Sequence, residues 1–492
     1  VFQDILDSAR SGVPAQALAH IAGRWITTGE PVQRIGPYTR DVVSTYCPAT
    51  PDQVDETRGY AAGAATVVAR LAPATRAAVL ERAGALALER RDDLARLIAL
   101  ELGKPLKDGR GEITRVADTF AVCAAETRRI GGDVLPVAGW ARGVGNTALT
   151  MRAPVGVALA ITPFNAPANL LAHKLGASFA AGNTTIVKAP PQAPATTAAI
   201  VALFREAGAP AEAVQLLHGG GDVGAALCAA PEVGVISFTG SATTGELVAR
   251  AAGAKRLVLE LGGNAATIVC ADADLAKAAR ICARTGYSNS GQSCISVQRV
   301  YVQRERFDEF VDLLDAQVGA LTVGDPLDPA TDVGSMVDDN AATRVEKWTA
   351  EAVSQGARLV RGGTRDGATL SPTVVAAPPE DATLVVEEVF GALVAVLPFD
   401  DFDAVIQNCN RSRFGLQAGL FTQDIGRIIT AWRELQVGGL VVNGSSNYRL
   451  DHVPFGGVKD SGFGRESPEH MIEDYTVVKT LMLREMSVWG VH

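Results

Sequence analysis

Four short stretches place reactive side chains where the chain must turn. Cys294 lies in Asn289-Ser290-Gly291-Gln292-Ser293-Cys294-Ile295, after small and polar residues. A nucleophilic thiol needs partial access and nearby backbone donors, and small neighbours permit both. The competing fate of a cysteine is a buried small hydrophobe, as expected for Cys282 in an apolar helix. Glu260 ends an apolar run and precedes Leu261-Gly262-Gly263-Asn264. It is a solvated carboxylate, a helix cap, or a carboxylate aimed into a cleft with a pKa raised toward general-base work. Asn165 sits in Thr162-Pro163-Phe164-Asn165-Ala166-Pro167, between two prolines. That rigid setting suits either a plain turn or an amide donor that must not move, as in an oxyanion hole. Phe238-Thr239-Gly240-Ser241, with Gly245 beyond it, joins a strand to a helix start, where a pyrophosphate can be received. Gly219-Gly220-Gly221-Asp222-Val223-Gly224 also matches GxGxxG, but lacks the acidic residue about 20 positions on that a dinucleotide fingerprint requires.

The bulk properties limit what this chemistry can serve. The chain has 492 residues, so roughly three structural units of about 150 residues are expected. Its 45 Lys+Arg against 54 Asp+Glu give a net charge of −9. Global attraction to nucleic acid or an anionic membrane is therefore not expected. No apolar window reaches the roughly 18 residues of a membrane span. The seven cysteines are odd in number and form no CxxC pair, so disulfides and a zinc site are not expected and no metal is assigned. The same cysteine usage favours a reducing compartment, so the cytoplasm is the expected location, and the start at Val1 leaves open whether a leader preceded it.

The elements that must position these residues follow from periodicity. His20–Trp25 and Val42–Tyr46 read as short strands, and residues 54–102 as helices with a break before Pro73. A helix is expected over 113–129. From Val155 onward strands and helices alternate: strands at 155–161, 184–188, 214–217, 235–238 and 256–259, with helices between them. This pattern implies a parallel doubly wound sheet. A second alternating region begins near Asn264, with strands expected at 266–270, 299–302, 384–386 and 440–442. Val477–Leu483 reads as an apolar strand with no later partner, so pairing with another chain is expected.

Together and in order, PFNxP, the strand ending in Lys188, FTGS, ELGG, GQxC, Glu387-Glu388-Val389-Phe390-Gly391 and Pro454-Phe455-Gly456-Gly457-Val458-Lys459-Asp460-Ser461-Gly462 resemble the aldehyde dehydrogenase superfamily. The resemblance spans nearly the whole chain. It implies an α/β fold: a Rossmann-like cofactor domain, an α/β catalytic domain and a small β oligomerisation element. The expected boundaries are 1–129 with 150–258 for cofactor, 259–440 for catalysis, and 130–149 with 470–492 for oligomerisation. Residues 441–469 would form a substrate entrance that returns to the cofactor domain. Homodimers or homotetramers are implied.

By the same resemblance Cys294 is the nucleophile, attacking an aldehyde to give a thiohemiacetal. Asn165 and the Cys294 backbone N–H hold the oxyanion. Hydride transfer leaves a thioester, and Glu260 activates the water that hydrolyses it. Lys174 and Glu466 match a buried pair that relays the proton. Glu388 and Phe390 match the nicotinamide-ribose end, and Ser241 and Gly245 the pyrophosphate end. Thr162, Pro163, Phe164, Gly221, Phe238, Thr239, Gly240 and Leu261 complete the expected cofactor contacts. Lys188 matches the adenosine-ribose lysine. NAD-using relatives often carry a Glu three residues later, where this chain has Pro191. Losing that carboxylate removes repulsion toward a 2′-phosphate, so use of NADP as well as NAD is expected.

The substrate end resembles branches that oxidise aldehydes with an anionic tail, including phosphonoacetaldehyde, non-phosphorylating glyceraldehyde-3-phosphate and lactaldehyde dehydrogenases. Arg115 and Arg449 are the expected clamps, or else salt-bridge arginines. Phe164, Ser293 and Ile295 would line the substrate pocket. Ser293 stands where the phosphonate branch can carry a third arginine. Two other functions compete. A CoA-acylating relative generally lacks the general-base Glu, so Glu260 favours hydrolysis. An inactive scaffold would show damage at Cys294, Asn165 or Glu260, and none is present.

Overall fold

The computed structural model describes residues 1–27 and 29–486. Two large sheets dominate it. The first has eight strands in the spatial order Gly462–Phe463, Arg256–Glu260, Val235–Thr239, Val157–Ile161, Thr184–Lys188, Val214–Leu217, Ala19–Ile21, Arg24–Ile26. The five strands between 157 and 260 are parallel, and the flanking ones antiparallel. Alternation explains why both faces are covered. Val157, Leu159 and Ile161 enter one apolar cluster, while Ala158 and Ala160 enter the other.

The connecting helices stop and start where local chemistry dictates. Thr50 and Gln53 form a capping box ahead of Pro51–Ala69. Pro73 opens the next helix at a position that needs no N–H. Gly103 and Gly182 end helices in the left-handed region, at φ 71° and 91°.

The second sheet has seven strands around its own core, ordered Arg358–Arg361, Thr373–Ala376, Leu393–Phe399, Arg299–Gln303, Ala266–Val269, Gln417–Phe421, Gly439–Val442. The expected strand at 384–386 is instead part of a short helix, Thr383–Val386. Its backbone closes locally, with Glu387 N–H on Thr383 O at 2.9 Å, and Leu384 and Val385 fill the second core. Packing of an apolar run overrode its β propensity.

A third sheet joins Thr476–Leu483 to Thr147–Pro154 and Val134–Leu135. The tail strand therefore has a partner within its own chain, in antiparallel register from Thr476 opposite Pro154 to Leu483 opposite Thr147. That partner lies more than 300 residues upstream, where a search for later partners does not look. Residues 487–492 of the expected oligomerisation element lie outside the described residues. No helix among the described residues is long and apolar enough to cross a membrane, and no cluster of metal-binding side chains occurs among them.

Candidate active site

In the first sheet the strand Val157–Ile161 has Thr184–Lys188 on one side and Val235–Thr239 on the other. This is the topological switch point, where loops leaving the carboxyl ends diverge and open a crevice. The loops are Thr162–Asn165 and Gly240–Ser241. They line a groove of about 1080 Å³, together with Pro163, Phe164, Lys188, Pro191, Gly221, Phe238, Thr239, Leu261, Glu388, Phe390 and Cys294. Phe164 meets Phe390 edge-to-face at 5.9 Å between ring centroids. Ser241 caps the helix Ala242–Ala252, accepting Thr244 N–H at 3.2 Å. Gly245 supports the wall from behind, since a Cβ there would meet Leu261 at 2.5 Å.

The groove fits a nicotinamide dinucleotide on its own chemistry. Thr162 Oγ1 is buried in the wall with no partner. Gly220 precedes the helix Gly221–Ala229, leaving its first N–H groups without a side-chain cap. The GxGxxG stretch thus does form a strand-to-helix turn on the groove. Burial lowers the Lys188 ammonium to about 8. Burial likewise raises the Glu388 carboxyl to about 7, and its Oε1 accepts Gly263 N–H at 2.8 Å.

The loop that carries Cys294 is a strained turn. Asn289, Ser290 and Gly291 have φ of 50°, 54° and 73°. Two non-glycine residues in the left-handed region cost energy that surrounding bonds must offset. Asp108 accepts Asn289 N–H at 2.7 Å, Ser290 Oγ donates to Gly334 O at 3.0 Å, and Gln292 Oε1 accepts Val337 N–H at 2.9 Å. Gly291 presses on Gly391 O, where a Cβ would sit at 2.0 Å. The loop delivers a half-buried Cys294 against Ile295, Leu416 and Phe455. Burial, with the carboxyls of Glu388 and Glu260 adding, pushes its thiol up to about 12. Asn165 reaches the same loop, its Nδ2 donating to Gln292 O at 3.1 Å. Ser293 is held in the turn by its N–H on Gly291 O at 3.0 Å.

Glu260 ends its strand 3 % exposed, and neither carboxyl oxygen has a partner. Burial first, and the charge of Glu466 second, raise its pKa well above the usual carboxylate range. Glu466 behaves oppositely. Burial opposes its charge, but Lys174 and Arg449 outweigh that and hold it well below the usual range. Lys174 donates to Glu466 at 2.8 Å and to Thr239 Oγ1 at 2.7 Å, while Arg449 Nη1 donates to Glu466 at 3.0 Å.

Both expected clamp arginines turn out to be engaged inside the chain. Arg115 grips Asp451 through two bonds of 3.0 and 2.6 Å, and Arg449 stacks on Phe455 at 4.1 Å. The salt-bridge role thus holds for both in this state. Five of the remaining cysteines are buried, but Cys47 is half-exposed rather than a packing residue.

Comparison with known proteins follows the same lines. The family model described as "Aldehyde dehydrogenase family" matches residues 25–481. The chain belongs to the aldehyde dehydrogenase family. It is 41% identical over 465 residues to the 3-sulfolactaldehyde dehydrogenase of Priestia aryabhattai, covering 94% of this chain and 97% of the relative. The aldehyde dehydrogenase of Physcomitrella patens, solved with the reaction product succinate, superposes with a TM-score of 0.93 at 33% identity, covering 97% of this chain and all of that one. The NADP-dependent glyceraldehyde-3-phosphate dehydrogenase of Bacillus halodurans, solved with NADP, has a TM-score of 0.93 at 32% identity over 95% of this chain and 99% of that one. The protein is an NAD(P)-dependent aldehyde dehydrogenase with the α/β fold of that family.

Several site residues escaped the sequence reading. His173 Nε2 lies 2.9 Å from Asp451, and Asn169 Nδ2 donates to the same oxygen at 3.2 Å. Both stand on the helix Pro167–Ala181 beside Lys174, at helical spacings that a search of this face would have raised. Asp108, Lys104 and Glu112 are remote in sequence from every reactive motif, and only the fold brings them close.

Proposed function

We propose that this aldehyde dehydrogenase oxidises a small aldehyde with an anionic tail to its carboxylic acid, through a thioester on Cys294. The charge balance carries the reading. Arg115, Lys174 and Arg449 bring three cations to one cluster, while Asp451 and Glu466 supply two ionised carboxylates. Burial and the neighbouring Glu466 raise the pKa of Glu260, so a further negative charge is disfavoured there. The guanidinium groups of Arg115 and Arg449 in this cluster are suited to a substrate sulfonate, carboxylate or phosphate. The printed name of the Priestia relative, a 3-sulfolactaldehyde dehydrogenase, agrees with this substrate class.

Cys294 gives up its thiol proton to solvent in the crevice and its sulfur attacks the carbonyl carbon, while Asn165 Nδ2 with the Cys294 N–H receives the oxyanion. A bound nicotinamide cofactor would supply the hydride acceptor. Glu388 and Ser241 would hold its ribose and pyrophosphate, and Lys188 its adenosine ribose. Glu260 then takes a proton from water to hydrolyse the thioester, a task suited to a carboxylate whose proton affinity burial has raised. Lys174 and Glu466 pass that proton outward. Pro191 beside Lys188 supports use of NADP as well as NAD.

The strand Gly462–Phe463 pairs with Arg256–Glu260, which supports returning 441–469 to the cofactor domain. Exposed Val478, Leu481 and Met482 on the third sheet support homo-oligomers. The free state of the described cysteines supports a reducing, cytoplasmic location. The test of substrate class is kcat/KM across a panel of sulfonate, phosphate, carboxylate and alkyl aldehydes. The proposal expects anionic tails to win by 10-fold or more, the scale of a charge-assisted contact. A preference for neutral alkyl aldehydes would overturn it.

A further inference from the structure

We propose that Lys104 is a positioning residue of the oxyanion site, fixing the Asn165 amide by pinning the Asn165 backbone carbonyl. This rests on the reading of Asn165 as an oxyanion donor. The two halves of that site come from different sheets. Asn165 follows a strand of the first sheet, and the Cys294 loop precedes a strand of the second. Something must set their separation.

The peptide after Asn165 is poorly restrained by its own helix. Pro167 opens Pro167–Ala181 without an N–H, and Ala166 supplies no side-chain cap. The restraint comes from the turn between the helices Arg91–Leu102 and Leu106–Thr127. Lys104 Nζ donates to Asn165 O at 2.9 Å, and Asn289 Nδ2 donates to the same oxygen at 3.1 Å. Both lone pairs of that carbonyl are thereby engaged. Asn289 belongs to the left-handed nucleophile turn, so one oxygen couples both oxyanion donors.

Lys104 is itself held. It is 6 % exposed and pairs with Glu112 at 2.6 Å. The other Glu112 oxygen accepts the N–H groups of Ala168 and Asn169 at 2.8 and 3.2 Å. Glu112 thus caps the helix that follows Asn165 while aiming the ammonium at its carbonyl. Asp108, one turn before Glu112, caps Asn289 N–H at 2.7 Å. A single helix, Leu106–Thr127, with Lys104 just ahead of it, braces both halves of the site from behind. Rotation of the Asn165 peptide would swing Nδ2 away from the carbonyl oxygen of the substrate, and a 1 Å misplacement can cost about 10²-fold.

The test compares two reactions of Cys294 in the full-length enzyme without cofactor. Acylation by p-nitrophenyl acetate forms a tetrahedral oxyanion, and alkylation by iodoacetamide does not. Asn165→Ala should slow acylation by about 10²–10³-fold. Lys104→Met should slow it by roughly 10–100-fold and leave alkylation nearly unchanged. Lys104→Arg, which keeps a charged donor, should recover part of the loss. The double variant Lys104→Met/Glu112→Gln leaves no unpaired buried charge and keeps a capping oxygen. It covers the case in which the single variant does not fold, and should show the same selective loss. Normal acylation in the Lys104 variants, with Asn165→Ala impaired, overturns the positioning role and spares the oxyanion reading. Equal loss of acylation and alkylation also overturns it, showing a merely structural residue. Normal acylation in Asn165→Ala overturns the oxyanion reading and this proposal with it.

Discussion

If Lys188 meets the cofactor's adenosine ribose and a 2′-phosphate on it, as proposed, cofactor choice should depend on pH. Its ammonium lies in the groove wall beside Pro191, and burial lowers it to about 8. Asp222 opposes that shift but does not cancel it. A lowered lysine is charged below its pKa and neutral above it. With a value of about 8, the ammonium fraction falls from about 0.9 at pH 7 to about 0.1 at pH 9, roughly tenfold. A cofactor 2′-phosphate, with its second pKa near about 6, stays dianionic over the same interval. Affinity for NADP should therefore weaken by up to about tenfold from pH 7 to 9, as the competent form of the enzyme becomes scarce. Affinity for NAD should change little, because a neutral amine still bonds a ribose hydroxyl. Lys188→Met should remove the difference in slope. Quenching of intrinsic tryptophan fluorescence gives both dissociation constants without turnover. Parallel pH dependence for the two cofactors, or a slope that survives in Lys188→Met, would refute the reasoning.

Other perturbations probe the remaining groups. Pro191→Glu restores a carboxylate beside Lys188 and should raise the NADP dissociation constant about tenfold or more relative to NAD; titration with both cofactors checks this. Arg449→Met keeps bulk over Phe455 but strips Glu466 of one charged bond, so urea unfolding should show a loss of about 1–3 kcal/mol. The same variant should raise KM for anionic aldehydes and spare neutral ones; equal changes would remove Arg449 from the substrate site. Glu466→Gln removes the charge that helps raise Glu260, so the acidic limb of the kcat–pH profile should move to lower pH, and a move upward would contradict the coupling. Depressed Asp451 and Glu466 contribute stability above their unfolded values and lose it as pH falls through their folded ones. Melting temperature should therefore drop steeply below about pH 4, and Arg115→Met should blunt the Asp451 share.

Much of this was legible in the sequence because its signals are local. Strand–helix alternation from Val155 to Glu260 needs only periodicity, and Gly182 and Pro73 mark boundaries by backbone preference alone. Glu260 ends a strand just before Gly262 and Gly263, Asn165 lies in the loop between Pro163 and Pro167, and Cys294 follows the turn at Gly291, so turn residues flag each of them. The tail strand failed because its partner, Thr147–Pro154, is distant in sequence. Residues 384–386 failed because a core-filling helix turn and a buried strand share one composition. Lys104 and Glu112 carried no sequence signal, since nothing local records that Lys104 meets the carbonyl of Asn165 or that Glu112 meets Lys104 and the start of the helix Pro167–Ala181. Arg115 and Arg449 read as substrate clamps or as salt-bridge arginines, and their partners Asp451 and Glu466 show that pairing only once the helices are packed.

The central claim is that Cys294 carries the acyl group and Glu260 releases it. Intact-mass analysis of Glu260→Gln, acid-quenched after mixing with aldehyde and NAD(P)+, tests it most directly. The account predicts a stoichiometric burst of reduced cofactor, a mass gain equal to the acyl group, and its location on the Cys294 peptide. An unmodified Cys294 peptide alongside continued multiple turnover would contradict it.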